Sequence, residues 1–513
     1  MLTRLLIILI GLLIPASKPC IDTVSQWHGD TVIKCLSTLP QLEPKLKFAN
    51  RFFKSSQISD LLSLISELKP FITHLPILLG QTRPVTYLVL LQNDYEMRAN
   101  GGFFGSYAVV SHTPSLSPPS QGEKCSSLPC KGEGLGWGIR FQDIYVPDGQ
   151  IKGHVDPPAP IQAAFKQGWF RLRDSDWEAD FPTAATTIRW FFDKGNEINP
   201  DFLVTLNLST IKQVLATVGE VEVPGFNFSI NQDNLYSLLQ NQTEIGFFPG
   251  STQKHDILTA TGKALFNKLL TLNPKQYLAI ANILINQLKH GNLLVNSQDP
   301  SIQNTLLEQN WAGQISNVKC KILNCINDTY LLVEANLGAN KANCCVDRSS
   351  IHTITRSTPS VAKGEVGSIQ HSVNITFTNN SLLENPSPPR FFGGNYISYL
   401  RFYIPKDATN IHVSASPTLS KTLTDYPKPF SEGGQGGVSI LVKYSLTEVG
   451  FFHLTAAGTK STINLSYDLP LNQNYQLSLL KQHGLDSSPS QISLFGKNFS
   501  TDLTNDYLLT SSL

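Results

Sequence analysis

The segment at residues 87–110 limits the fold more than any other part of the chain. Its apolar start, residues 87–91, predicts a buried strand, and residues 104–110 predict a second strand after a glycine-rich turn. Such a corner can hold an anion, because glycine leaves backbone N–H groups accessible and Arg98 adds positive charge. The residues alone favour a plainer interpretation, a hairpin in which Arg98 pairs with Glu96.

Three sequence blocks occur in a fixed order. The first is Gln-Asn, Glu-x-Arg and Gly-Gly-Phe-x-Gly-Ser-Tyr at 92–107. The second is Asp-Ile-Tyr-Val-Pro-Asp-Gly at 143–149 with His-Val-Asp-Pro-Pro-Ala-Pro at 154–160, and the third is Leu-Arg-Asp-Ser-Asp-Trp-Glu-Ala-Asp-Phe-Pro-Thr-Ala at 172–184. Together they resemble the bacterial family called domain of unknown function 4012 (DUF4012), over roughly residues 78–482.

The chain departs from that family pattern in two places. Asp176 stands where the family more often has Asn, and the loop at 113–136, crowded with Pro, Ser and Gly, resembles an insertion. The resemblance implies no established activity.

The size and charge of the chain restrict its class. At 513 residues it is too long for one core, so we expect two or three domains. Charged residues make up only 15%, against about 25% in typical proteins. The net charge of +1 gives no electrostatic basis for binding nucleic acid, and low charge suits an exported protein.

The N-terminus predicts a secretory signal peptide at residues 1–17. Arg4 precedes an apolar run at 5–14, and Pro-Ala-Ser follows it. The run is shorter than the roughly 20 residues that span a bilayer. If the signal stays uncleaved, this segment is the predicted contact with a membrane surface.

Eight cysteines, an even number, agree with export to an oxidising compartment. The simplest expectation is local pairing, of Cys20 with Cys35, of Cys125 with Cys130, and of the last four among themselves. The alternative is a zinc site built from those four, Cys320, Cys325, Cys344 and Cys345. Adjacent cysteines make poor tetrahedral ligands, which favours disulfides.

The hydrophobic patterning predicts an α/β (mixed α+β layered) N-terminal domain followed by an all-β sandwich-like C-terminal domain. Residues 18–77 predict a helical lead-in, and 78–344 alternate strands with helices. Residues 345–482 carry short alternating strands with frequent turns. The segment 483–513, rich in Ser, Asn and Asp, predicts a loosely ordered tail.

Charged side chains crowd residues 171–180, just before a predicted helix. Carboxylate oxygens suit Mg²⁺, and arginine can grip phosphate in a bidentate manner. The predicted roles are phosphate binding by Arg98, Arg140 and Arg173, metal binding by Asp174 and Asp180, and catalysis by Asp143 and Asp176. Taken alone, the residues favour a structural role, in which Asp180 caps the helix and Arg173 pairs with a neighbouring aspartate.

The order of these elements is distantly similar to the LytR–CpsA–Psr transferases. That similarity implies a phosphotransferase that handles lipid-pyrophosphate-linked glycopolymers with arginines, aspartate and Mg²⁺. The chain contains no Gly-x-Ser-x-Gly elbow, His-Glu-x-x-His helix or Walker-type glycine loop. The familiar hydrolase, metalloprotease and nucleotidase classes therefore lack support.

Two functions remain open. The first is an exported cell-envelope protein that acts as a non-catalytic scaffold or binding protein. The second is a LytR–CpsA–Psr-like enzyme whose partner is a cell-envelope glycopolymer or a lipid-linked phosphate.

Overall fold

The computed structural model describes residues 39–54, 56–112, 137–244, 253–315, 319–320, 323–357, 367–382, 393–416 and 438–512. The predicted signal peptide, the loop at 113–136 and the first four cysteines lie outside the described residues.

The described part of the lead-in is helical. It consists of α1 (Leu39–Phe53), α2 (Ser56–Leu68), a 3₁₀ turn (Lys69–His74) and α3 (Leu75–Leu78). Among the described residues, Ile58–Leu78 is the one stretch whose length and apolar composition would suffice to cross a membrane, a test that core helices of water-soluble domains also pass. Leu61, Leu64 and Ile65 are buried in the core of the next domain.

A five-stranded sheet forms the centre of the α/β domain. In sheet order its strands are β3 (Trp137–Asp143), β2 (Gly101–His112), β1 (Val85–Arg98), β4 (Phe202–Asn207) and β7 (Val295–Ser297). β1 and β4 are parallel, and the other pairs are antiparallel. The predicted hairpin is present. We expected a polar turn after residue 91, but β1 continues to Arg98. Its pairing with β2 shifts register twice on the way, between Leu91 and Gln92 and between Asn93 and Met97.

Helices surround this sheet. They are α4 (Tyr145–Gln150), α5 (Ala159–Phe165), α6 (Phe181–Lys194), α7 (Leu208–Val218), α8 (Leu235–Glu244), α9 (Gln253–Leu269), α10 (Pro274–Lys289) and α11 (Pro300–Glu308). A small ribbon of β5 (Val221–Glu222) and β6 (Ser229–Ile230) follows α7. The apolar side chains of α6 other than the exposed Trp190 are buried in the core beside the sheet, which explains its amphipathic sequence.

The C-terminal domain has two six-stranded sheets. The first contains, in order, β12 (Thr409–Ser416), β15 (Lys460–Pro470), β10 (Ser368–Asn379), β9 (Val346–Arg356), β17 (Ser490–Leu494) and β18 (Lys497–Thr501). The second contains β13 (Ser439–Lys443), β14 (Leu446–Thr455), β11 (Tyr396–Pro405), β8 (Cys325–Asn336), β16 (Asn474–Leu480) and β19 (Tyr507–Ser512). The predicted fold class, an α/β domain followed by an all-β sandwich-like domain, is confirmed.

The end of the chain differs from the prediction of a loose tail. β17 lies parallel to β9, and β19 lies antiparallel to β16. Inward-facing Ile492 and Leu494 are buried in the sandwich core. In β17 the buried positions alternate with Gln491 and Ser493, which are more exposed, so polar residues of this segment belong to a regular strand. The sandwich also begins earlier than expected, because β8 starts at Cys325.

The second sheet is covered on both faces. Every residue of β11 is buried, since its outer face packs on the α/β domain. There the Arg401 guanidinium lies 4.4 Å from the centre of the Trp177 ring and donates to the Trp177 carbonyl over 2.8 Å. The interface between the domains is thus part of the hydrophobic core.

Candidate functional site

Arg98 ends β1 at this interface and is buried. Its guanidinium donates to the Met97 carbonyl over 3.3 Å, to the Glu96 carboxylate over 3.0 Å and to the Asn336 carbonyl of β8. The ring of Phe103 lies 5.3 Å away. The arginine that we expected to grip phosphate therefore has a carboxylate partner and bridges the two domains.

Asp176 lies behind Arg98 and is 2% exposed. Its carboxyl accepts hydrogen bonds from Asn100 over 2.6 Å and from Gln92 over 3.3 Å. Burial raises the pKa of Asp176 to about 7, because the charged form loses its hydration. A carboxyl with this pKa can exchange a proton near neutral pH, and both of its oxygens accept hydrogen bonds from buried side chains, those of Asn100 and Gln92.

The half-buried Arg173 and the buried Asp174 belong to the same cluster. Arg173 pairs with Asp148 over 3.0 Å and with Asp174 over 3.9 Å, and it stacks 5.2 Å from the Tyr145 ring. Gln167 donates to Asp174 over 3.1 Å. Burial raises the pKa of Asp174, while the charges of Arg98 and Arg173 act in the opposite direction.

The structure thus brings together four of the seven predicted site residues. Arg98, Arg173, Asp174 and Asp176 share one charge cluster, as their mutual electrostatic influence shows. Asp148 belongs to this cluster and was not among the predicted site residues. Asp148 lies in the second sequence block, so the sequence could have marked it as a candidate. Nothing in that block indicates that it pairs with Arg173.

Arg140 lies elsewhere. Antiparallel pairing places it opposite Val109 on β2, and it pairs with Glu197 over 2.6 Å. Tyr107 also donates to the Glu197 carboxylate. Arg140 therefore has partners of its own, the buried Tyr107 and the partly buried Glu197, and does not join Arg98.

The remaining two aspartates terminate elements. Asp143 ends β3 and accepts the Tyr145 N–H over 3.0 Å. Asp180 is the N-cap of α6: one oxygen accepts from Thr183 N–H over 3.0 Å, and the other accepts from Ile315 N–H over 2.9 Å. This is the capping role that the residues alone had favoured.

The two aspartates of the predicted magnesium site are occupied by protein partners. Both Asp180 oxygens are used by backbone donors, and Asp174 pairs with Arg173 and Gln167. Within the described ranges, no group of three or more His, Cys, Asp or Glu side chains is placed to hold a metal ion. The metal assignment stays a prediction.

The last four cysteines pair among themselves, as expected. Cys320 bonds to Cys325, and Cys344 bonds to its neighbour Cys345. The alternative zinc site is not formed, since all four sulfurs are in disulfides.

A cleft between the domains was missed by the sequence analysis. It has a volume of about 330 Å³ and lies where parallel strands β1 and β4 end, beside the first turn of α7. Its polar lining comprises Asp94, Tyr95, Ser209, Lys212, Asn343, Arg348, Asp486 and Ser487. Crevices at the carboxyl ends of parallel strands are common ligand sites in α/β proteins. No local motif pointed to it, because its walls come from four distant segments.

Similar solved structures show only weak overall agreement. A putative nutrient binding protein of Legionella pneumophila is 11% identical with a TM-score of 0.19, and the match covers 29% of this chain and half of that one. Protein gbs0355 of Streptococcus agalactiae is 14% identical with a TM-score of 0.29, covering 46% of this chain and 76% of that one. TagV of B. subtilis is 13% identical with a TM-score of 0.24, covering 45% and 80%.

TM-scores at this level do not establish a common fold, and no activity is transferred from these proteins. No curated protein matches the chain in sequence.

The sequence family gives the clearer result. The profile described as "Protein of unknown function (DUF4012)" matches residues 139–243, which include α4 to α7 and the Arg173–Asp180 segment. The resemblance expected from the sequence blocks is thus confirmed over this segment, and the chain carries the sequence pattern of the DUF4012 family there.

Proposed function

We propose that this chain is an exported, non-catalytic protein of the cell envelope, in which the α/β domain and the sandwich form one continuous scaffold. The observation that carries the proposal is the placement of Arg98. Its guanidinium is buried, paired with Glu96 and bonded to the Asn336 carbonyl of the other domain.

The ion pairs of the other two arginines support the same conclusion. Arg173 and Arg140 each have a carboxylate within 3.0 Å. A phosphate would have to displace these carboxylates, leaving buried negative charges beside the incoming anion. Paired arginines of this kind suit a structural role better than a pyrophosphate grip.

Two features support an oxidising location outside the cytoplasm. The disulfides Cys320–Cys325 and Cys344–Cys345 are of a kind that persists in oxidising compartments and is rare in reducing ones. The N-terminal residues carry the signal-peptide pattern.

The test compares stability with ligand binding. Arg98→Ala should lower the free energy of unfolding by about 3–5 kcal/mol, because it leaves Glu96 and a carbonyl unpaired in a buried site. Arg171→Ala is the matched control, since Arg171 packs on Trp169 at the surface and should leave Tm nearly unchanged. Thermal melts of the full chain measure both.

Calorimetry with magnesium pyrophosphate tests the alternative, a phosphotransferase, because such an enzyme should bind this ligand. We expect no binding by the parent chain. If the parent binds and a folded Arg173→Gln variant does not, the scaffold proposal is wrong and the phosphotransferase gains support. Arg173 is partly exposed, so this variant is expected to fold even if Arg98→Ala does not.

A further inference from the structure

Helix α1 carries two exposed aromatic side chains on one side. Phe48 is 64% exposed and Phe52 is 69% exposed, and their ring centres are 4.9 Å apart. Residues four apart lie on the same side of a helix, so the two rings form one aromatic patch. Successive residues are about 100° apart around a helix, so Leu46 lies nearly opposite both rings. Because Leu46 is buried in the core of the α/β domain, the aromatic patch faces away from that domain.

Basic side chains flank the aromatic patch. Lys45 and Arg51 are each three residues from Phe48, one before it and one after it, so they lie at the edges of the same side of α1. Both are exposed, and so are Lys47 and Lys54. Among the residues that the structure describes, no carboxylate pairs with Lys45, Arg51 or Lys54.

The acidic residue of α1 does not neutralise these charges. The carboxylate of Glu43 pairs with Lys47 over 2.6 Å and with Lys69 over 3.6 Å, and the Glu43 side chain is 19% exposed. Glu43 therefore compensates two basic groups outside the aromatic patch. The patch and its edges keep a net positive charge.

From this arrangement we infer that α1 binds the surface of a lipid bilayer that contains anionic lipids. The rings of Phe48 and Phe52 enter the boundary between headgroups and acyl chains, and Lys45 and Arg51 contact lipid phosphates. Apolar burial and attraction to anionic headgroups act together in helices of this composition, and neither alone gives strong binding. This contact does not use the predicted signal peptide, so it persists after cleavage.

Other occupants of the aromatic patch fit less well. A second copy of the chain would bring two positively charged patches together, and like charges repel. The segment at 18–38 offers no complementary charge, because its two acidic residues, Asp22 and Asp30, are balanced by Lys18 and Lys34. An anionic bilayer supplies both the apolar environment and the negative charge.

The experiment uses residues 18–513, the product of the predicted cleavage, so that the apolar run at 5–14 cannot bind lipid in place of α1. All the described elements lie within this form, and its Tm should equal that of the full chain. Flotation measures its partition into vesicles made of equal parts of phosphatidylcholine and phosphatidylglycerol. We expect partition to fall at least about tenfold when phosphatidylglycerol is left out, and to fall when salt is raised.

Two double variants locate the contact. Phe48→Ser with Phe52→Ser removes both rings, and Lys45→Gln with Arg51→Gln removes two charges but keeps polar side chains. Each double variant should lower the partition coefficient at least about tenfold, because apolar burial and headgroup attraction both contribute. Tm should stay unchanged in both, since the four side chains are exposed.

The matched control removes two exposed apolar side chains elsewhere. Ile440 and Val442 of β13 are 56% and 63% exposed, so Ile440→Ser with Val442→Ser should change the apolar surface by a similar amount. This control should partition into the mixed vesicles as the parent does.

Three outcomes would overturn the inference. The parent does not bind the mixed vesicles, or the variant without the two phenylalanines binds them as well as the parent does. The third outcome is a parent that is dimeric without lipid and becomes monomeric when the phenylalanines are removed, which would assign the aromatic patch to a second copy. None of these outcomes bears on the Arg98 melts, so failure here and failure of the scaffold proposal can be told apart.

Discussion

Asn100 donates a hydrogen bond of 2.6 Å to Oδ1 of Asp176, and the same amide donates to the Glu178 carbonyl over 2.7 Å. This amide ties the end of the β1–β2 hairpin to the third sequence block. The carboxyl that we had predicted to be a catalytic base is therefore a buried link between two segments of the α/β domain.

Asp176→Asn should stabilise the protein at alkaline pH. The folded pKa of about 7 is above the usual value near 3.9, so stability is fully present below about pH 4 and is lost as pH rises through 7. The amide cannot ionise and avoids this loss. We expect the Tm of the variant to exceed that of the parent at pH 8 by clearly more than at pH 5.

The exposed Asp193, at the end of α6, provides the control, and Asp193→Asn should show the same Tm difference from the parent at both pH values. An equal effect of Asp176→Asn at pH 5 and pH 8 would show that the carboxyl is not protonated in the folded protein. That result would support the predicted catalytic role of Asp176, which requires an ionised carboxylate.

Asp180→Ala should destabilise the chain by about 2–3 kcal/mol. The substitution removes the cap of α6 and leaves the Ile315 N–H without its acceptor. Chemical denaturation measures the loss, and Asp193→Ala in the same helix should cost less than about 0.5 kcal/mol. If added Mg²⁺ stabilises the parent but not Asp180→Ala, the metal role predicted for this residue would stand after all.

Acid should destabilise the folded protein through its buried histidines. Burial holds the pKa values of His453 and His483 at about 4, and that of His352 well below 6.5. Each contributes stability that is present above the unfolded pKa near 6.5 and is lost as pH falls toward the folded value. We therefore expect Tm to decline steadily between pH 6.5 and pH 4.

His453→Gln should flatten this decline, because glutamine can still bond to the Ser461 hydroxyl, which lies 2.8 Å from His453 Nε2. His154→Gln serves as the comparison, since His154 is exposed and pairs with Asp156 at the surface. Identical pH profiles for the parent and His453→Gln would mean that the pKa of His453 is the same in the folded and the unfolded protein.

Much of the fold was readable from periodicity. The β1–β2 hairpin follows from an apolar run and glycines, and β10, β11 and β15 follow from strict alternation or apolar runs. The strands after residue 484 were missed, because their outward Ser and Asn resemble a disordered composition. Their inward side chains are buried only once they lie beside β9 and β16.

For the candidate site, too, some contacts could be predicted from the sequence and others could not. Asp180 as a helix cap and Arg98 beside Glu96 are local relations, and the sequence alone determined them, since capping and neighbouring charges act over a few residues. Only the tertiary structure decided that Arg98 also bonds to Asn336, that Arg140 turns to Glu197, and that Asp94 and Arg348 line one cleft. These contacts join residues distant in sequence, and they depend on strand register and domain packing, which no local pattern encodes.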